Sequence, residues 1–149
     1  MLFKTVDFPP EVVQAQKDGT LVIFAGAGVS MGSPANLPSF SGLVRMLGAG
    51  ASPQRVDETD DQYLGRLHDD GRGIQVHAIA ARILLNPESK PTELHSLLLR
   101  LFHPKRPIRV VTTNFDSHFS AAAKQLGIPQ FETFCAPALP LGDDFHGLV

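Results

Sequence analysis

Residues 20–30 read Thr20-Leu21-Val22-Ile23-Phe24-Ala25-Gly26-Ala27-Gly28-Val29-Ser30. A continuous apolar run, rich in branched and aromatic side chains, passes directly into a glycine-rich turn. Such a run suits a strand buried on both faces, as in a parallel sheet. After a strand, Gly26 and Gly28 allow backbone angles closed to other residues. They also let a phosphate come close to main-chain N–H groups. A second run, Ile108 to Thr112, leads into Thr113-Asn114-Phe115-Asp116. Both unusual segments therefore fall at the carboxyl ends of expected strands, where open α/β sheets bind their ligands.

Working outward, Pro9 and Pro10 open a helix over 11–18 that Gly19 ends. A short helix is expected over 41–47. The polar, acidic stretch 48–61 reads as a mobile insertion, and 61–69 as a helical turn or two. Residues 74–85 carry Val76, Ile79, Ala80, Ile83 and Leu84 on one helical face before Asn86-Pro87 stops them. Thr92 can cap a further helix, with Leu94, Leu97, Leu98 and Leu101 as its apolar stripe. An alanine-rich helix spans 117–126, closed by Gly127. Phe131 to Cys135 reads as a third strand, and Gly147-Leu148-Val149 as the start of a fourth. Alternating strands and helices predict an α/β fold, a Rossmann-like parallel sheet flanked by helices.

Composition narrows the function classes. With 43% hydrophobic and 19% charged residues, the chain is globular. Its net charge of −2 and scattered cations argue against nucleic acid or a membrane surface as partner. The single cysteine, Cys135, excludes an internal disulfide framework and a four-cysteine zinc site, and fits a cytoplasmic protein. No apolar run reaches the roughly 20 residues of a membrane helix. No histidine or carboxylate spacing suggests a metal: His68, His77, His103 and His118 have no partner pattern.

The glycine turn alone is a weak signal. A third glycine in G-x-G-x-x-G register would fall at position 31, which is Met31, and no P-loop lysine follows. Three landmarks in order carry more. The run Gly26-Ala27-Gly28-Val29-Ser30, followed by Leu37-Pro38-Ser39-Phe40, resembles the first sirtuin signature. Pro91-Thr92-Glu93-Leu94-His95-Ser96-Leu97-Leu98 resembles the sirtuin Pro-x-x-x-His-x-x-Leu helix. Thr112-Thr113-Asn114-Phe115-Asp116 resembles the Thr-Gln-Asn-Ile-Asp signature. The resemblance covers residues 20–149. Two departures stand out: Asn36 to Ser41 lacks the acidic residue and arginine of the deacylase loop, and zinc-ribbon cysteines are absent from this stretch. Both are similar to the bacterial defence-associated sirtuin-like proteins.

That resemblance implies an NAD+ glycohydrolase acting in anti-phage defence by NAD+ depletion. NAD+ would be its substrate, and no metal would be needed. The alternatives are an NAD-dependent protein deacylase and a module that senses NAD+ or ADP-ribose without cleaving it. In the implied site, Gly26, Ala27, Gly28, Val29 and Ser30 cradle the pyrophosphate, with Ser30 equally suited to cap a helix. Pro38 and Phe40 wall the nicotinamide pocket, although Phe40 could simply anchor its loop. Thr113 and Asn114 lie beside the nicotinamide ribose, and Asn114 orients a water or ribose hydroxyl. Asp116 accepts from the nicotinamide carboxamide or caps the following helix. His95 reads as structural, hydrogen-bonding a neighbouring loop. A His-Gly pair supplies the general base in sirtuins. His146-Gly147 has the dipeptide but follows a turn, so the base is expected beyond Val149. The resemblance further implies a domain that continues past 149, a fused C-terminal sensor or oligomerisation region, a homo-oligomer, and incomplete activity for these residues alone.

Overall fold

A computed structural model describes residues 2–3, 5–70, 75–102, 107–128, 133–134 and 147–148. In chain order its elements are β1 (Leu2–Phe3), β2 (Val6–Asp7), α1 (Pro10–Asp18), β3 (Ile23–Ala25), α2 (Gly28–Met31) and α3 (Phe40–Leu47). Next come α4 (Asp60–Asp69), α5 (Val76–Leu84), α6 (Glu93–Arg100), β4 (Arg109–Thr112), α7 (His118–Gln125) and β5 (Gly147–Leu148). The architecture is mixed α/β around a small parallel sheet of order β3-β4-β5. Ile23, Phe24 and Ala25 face Val110, Val111 and Thr112 in register, and Arg109 and Val110 face Gly147 and Leu148. Strands β1 and β2 form a separate antiparallel pair that the sequence pattern did not suggest.

Two cores hold the chain. In the first, Ala25, Ile108 and Val110 on one sheet face meet Leu99 and Phe102 at the end of α6 and Phe119, Ala122 and Ala123 of α7. The side chains alternate across a strand, so Phe24 points to the other face and is 79% exposed. The expectation that this run is buried on both faces is thereby corrected: helices cover one face among the described residues. The stripe of α6 also differs from expectation. Leu94, Leu97 and Leu101 are exposed, while His95, Leu99 and Phe102 are buried. The helix turns its 95–99–102 face inward because His95 finds polar partners there, described below.

The second core is helical. Leu43, Val44 and Leu47 of α3 pack on Tyr63 and Leu67 of α4 and Val76 of α5. Helix α4 runs ten residues rather than a turn or two. The stretch between α3 and α4, expected as a mobile insertion over 48–61, is tied to α4 at several points. Tyr63 Oη donates to the Ser52 carbonyl at 2.9 Å, and Arg66 grips Glu58 through Nε at 2.7 Å and Nη2 at 2.8 Å. The Arg66 hydrogen bonds, with a backbone N–H from Arg55, hold the Glu58 carboxyl down at about 2. No helix among the described residues is long and apolar enough to cross a membrane. The expected strand 131–135 lies almost wholly outside the described residues, as do His103 and Cys135.

Glycine at position 48 is required by packing. A Cβ there would sit 2.8 Å from Cε1 of Tyr63, whose ring is buried and whose hydroxyl is anchored. Gly48→Ala is expected to cost ~1–3 kcal/mol by overpacking, read as a lowered urea midpoint. An unshifted midpoint would mean that the Tyr63 ring is free to move.

Candidate functional site

The two segments singled out in the sequence converge at the carboxyl ends of β3 and β4. Register brings them there. Ala25 and Thr112 are paired, the Thr112 hydroxyl donates to the Ala25 carbonyl at 3.0 Å, and the Thr113 N–H reaches the same carbonyl at 3.3 Å. Thr112 Oγ1 also accepts the Asn114 N–H at 3.1 Å, which fixes the backbone of the 113–116 loop. The Asn114 amide nitrogen then crosses to the Gly26 carbonyl at 3.2 Å and the Ser30 hydroxyl at 3.4 Å. A carbonyl can only accept, so the amide nitrogen faces the turn and Oδ1 is the group that Asn114 can offer a ligand.

Ser30 is the meeting point. It lies inside α2, 2% exposed, and does not cap a helix. Its hydroxyl donates to Asp116 Oδ2 at 2.8 Å and stands 3.2 Å from His95 Nε2. His95 Nδ1 accepts the Thr92 N–H at 3.1 Å, so the ring proton sits on Nε2 and is donated to Ser30. The Thr92 hydroxyl is 2.9 Å from the Val29 carbonyl, tying the start of α6 to the glycine turn. Asp116 Oδ1 accepts the His118 N–H at 2.9 Å, which organises the start of α7. Ser117, not Asp116, is the N-cap of α7; Asp116 stands one residue before it, with one oxygen on the His118 N–H and the other on Ser30.

Gly26 and Gly28 are placed differently from expectation. Among the described residues the positive-φ glycines are Gly19, Gly50 and Gly127, so neither turn glycine uses angles closed to other residues. A Cβ at either would meet nothing within 4 Å. Neither folding geometry nor packing calls for glycine at these two positions, which leaves open space beside the main chain.

A cleft of about 110 Å³ lies between the turn and the loop. Ala27 and Ser30 border it on one side and Thr113, Asn114, Phe115 and Asp116 on another. The segment before α3 and α3 itself close it with Leu37, Pro38, Phe40 and Leu43. Pro38 and Phe40 therefore share one cavity with Asn114 and Asp116. An apolar groove of about 490 Å³ between α3, α4 and α5 adjoins it, with Phe40, Leu43, Leu84 and Phe115 common to both. Val29 stands just behind the turn, packed on the first core. His146 lies outside the described residues, immediately before β5. Among the described residues no three His, Cys, Asp or Glu side chains gather as a metal site.

His95, read from the sequence as structural and bonded to a neighbouring loop, sits in this centre, but its link to Ser30 was not foreseen. His95 is 0% exposed and part of the network, packed edge-on against Phe119 at 4.8 Å and His118 at 5.5 Å. A detectable signal existed: Thr92 as N-cap with a side chain able to accept the cap N–H three residues later is a capping-box spacing. Leu37, Leu43, Leu84 and Phe115 carried none, because their contribution depends on tertiary placement.

No protein-family model matches the chain. Over 124 residues it is 32% identical to the uncharacterized protein y4cA of Sinorhizobium fredii (strain NBRC 101917 / NGR234), an alignment covering 76% of this chain and 10% of that protein. The chain thus spans about a tenth of the length of the curated relative it matches.

Burial pushes the His95 imidazole below its ordinary 6.5; the Asp116 charge opposes the shift and His118 adds to it. A base whose folded pKa is depressed binds fewer protons folded than unfolded, so stability rises with pH across the interval. Its contribution is complete above 6.5 and is lost as the pH falls. Wild-type stability should therefore drop more steeply between pH 7.5 and about 5 than that of His95→Gln, in urea unfolding at each pH. Parallel pH profiles for the two proteins would remove His95 as the titrating group.

Proposed function

We propose that this chain forms the nicotinamide-ribose end of an NAD+ glycohydrolase site. The observation that carries the reading is the Asn114 bridge to Gly26 and Ser30, which joins the glycine turn and the Asn-Phe-Asp loop over one cleft. Sites that bury a whole ligand measure ~300–1,000 Å³. A cleft of about 110 Å³ accommodates a single ring, which suits the nicotinamide end rather than the full dinucleotide.

In this reading the exposed main chain at Gly26 and Gly28 receives the pyrophosphate, where absent side chains leave room for close approach. Leu37, Pro38 and Phe40 give the nicotinamide ring an apolar wall. Asp116, already oriented by Ser30 and the His118 N–H, has lone pairs left to accept from the carboxamide. Asn114 Oδ1 orients a ribose hydroxyl or the attacking water. Cleavage breaks the bond between ribose C1′ and the pyridinium nitrogen; the electron pair leaves with nicotinamide, and water adds to the oxocarbenium-like carbon with loss of a proton. The sheet with its flanking helices serves as part of a Rossmann-like, sirtuin-like domain, and NAD+ depletion in anti-phage defence is the biological outcome. His146-Gly147 is the chain's His-Gly pair and a candidate for the base.

Asn114→Ala in the full-length protein is expected to lower nicotinamide release by about 100-fold or more while the folded circular dichroism spectrum is kept. Turnover within a few-fold of wild type would take Asn114 out of the mechanism. Binding of NAD+ by calorimetry without any release would replace hydrolysis with sensing, and release only with an acetylated peptide present would replace it with deacylation.

Gly28→Ala separates binding from folding. Its Cβ enters open space, so stability should stay within about 1 kcal/mol of wild type. NAD+ affinity should fall by about tenfold, because the methyl group occupies the approach to the main chain. Unchanged affinity would show that phosphate does not lie against this turn.

A further inference from the structure

Three segments distant in sequence meet at one hydroxyl outside the Ser30 centre. Ser89 lies in the turn between α5 and α6, its N–H bonded to the Asn86 carbonyl at 3.0 Å. Its Oγ is 2.7 Å from the Ala35 carbonyl and 2.8 Å from His118 Nε2. A carbonyl can only accept, so the single hydroxyl proton goes to Ala35 and Ser89 accepts the Nε2 proton of His118. His118 is 7% exposed and Ala35 3%, so breaking either bond leaves a largely desolvated partner.

Each end of this connection carries one wall of the cleft. Ala35 belongs to the bend that continues into Leu37 and Pro38. That bend is set by the Asn36 N–H to Gly32 carbonyl bond at 2.9 Å, the Leu37 N–H to Ser30 carbonyl bond at 2.9 Å, and a φ of 50° at Asn36. His118 gives its own N–H to Asp116 Oδ1 at 2.9 Å. The path from the Leu37–Pro38 wall to the Asp116 carboxylate therefore runs through three hydrogen bonds and one imidazole ring.

We propose that Ser89 and His118 are positioning residues which fix the separation of the two cleft walls and so set how tightly the nicotinamide ring is held. The structural half of this stands on the contacts alone; its consequence for NAD+ rests on the glycohydrolase reading above. Neither residue touches the reacting atoms. Their effect is on ring binding and not on the bond-breaking step.

The test compares Ser89→Ala and Ser89→Thr with wild type in the full-length protein. In Ser89→Ala the KM for NAD+ and the inhibition constant for nicotinamide should rise together, by about tenfold, with kcat changed less than about threefold. Ser89→Thr keeps the hydroxyl and should restore both constants. A fall in kcat alone, or equal defects in both variants, overturns the positioning role. Amide hydrogen exchange without ligand gives an independent readout: Ser89→Ala should speed exchange at Leu37 and His118 and leave α4 unchanged. Unaltered exchange at those two amides overturns the connection itself. Faster exchange in a protein that never cleaves NAD+ upholds the connection and overturns the activity.

Discussion

A hydroxyl has one proton to give and two lone pairs to offer, and the Ser30 hydroxyl uses all three. The proton goes to Asp116, and the lone pairs take protons from His95 and Asn114. Those partners come from two elements, the 113–116 loop after β4 and helix α6, and they meet on the glycine turn that carries Ser30. Loop, helix and turn are each fixed independently, by strand register, by the Thr92 capping contact and by the backbone bonds of α2. In a buried, saturated polar centre of this kind, losing one partner leaves a desolvated group unpaired, at a cost of ~1–3 kcal/mol.

The cleft exists because two cores are built side by side. One is the sheet with α6 and α7, the other the packed helices α3, α4 and α5. Neither could wall the cavity alone. The sheet side supplies the polar groups of Asn114 and Asp116, and the helical side supplies Leu37, Pro38, Phe40 and Leu43. The carboxylate and amide thus come from the sheet side and most of the apolar lining from the other, and the bend over 32–39 joins them.

Much of this was legible beforehand for a definite physical reason. The strand runs and the helices of 10–18 and 118–125 announce themselves through local periodicity and glycine stops, and Gly19 and Gly127 do sit at positive φ. The convergence of the glycine turn and the Asn-Phe-Asp loop follows from parallel pairing, which places strand carboxyl ends together. Local pattern could not supply rotation about a helix axis. Leucines at 94, 97 and 101 form a convincing stripe, yet His95 claims the interior because its two nitrogens find Ser30 and Thr92. The roles of Ser89 and His118 were also invisible, since a bond spanning 29 residues leaves no spacing to read. The run at 20–25 looked doubly buried because composition cannot tell which sheet face finds a cover.

The clip between Arg66 and Glu58 sets the helical side apart from the sheet side in one further respect. With its carboxyl held at about 2, Glu58 keeps its charge in media acidic enough to protonate an imidazole. Mild acid therefore attacks the molecule unevenly. Protonating His95 would cost the bond that its Nδ1 accepts from the Thr92 N–H, whereas the Glu58–Arg66 pair keeps both its charges over the same range.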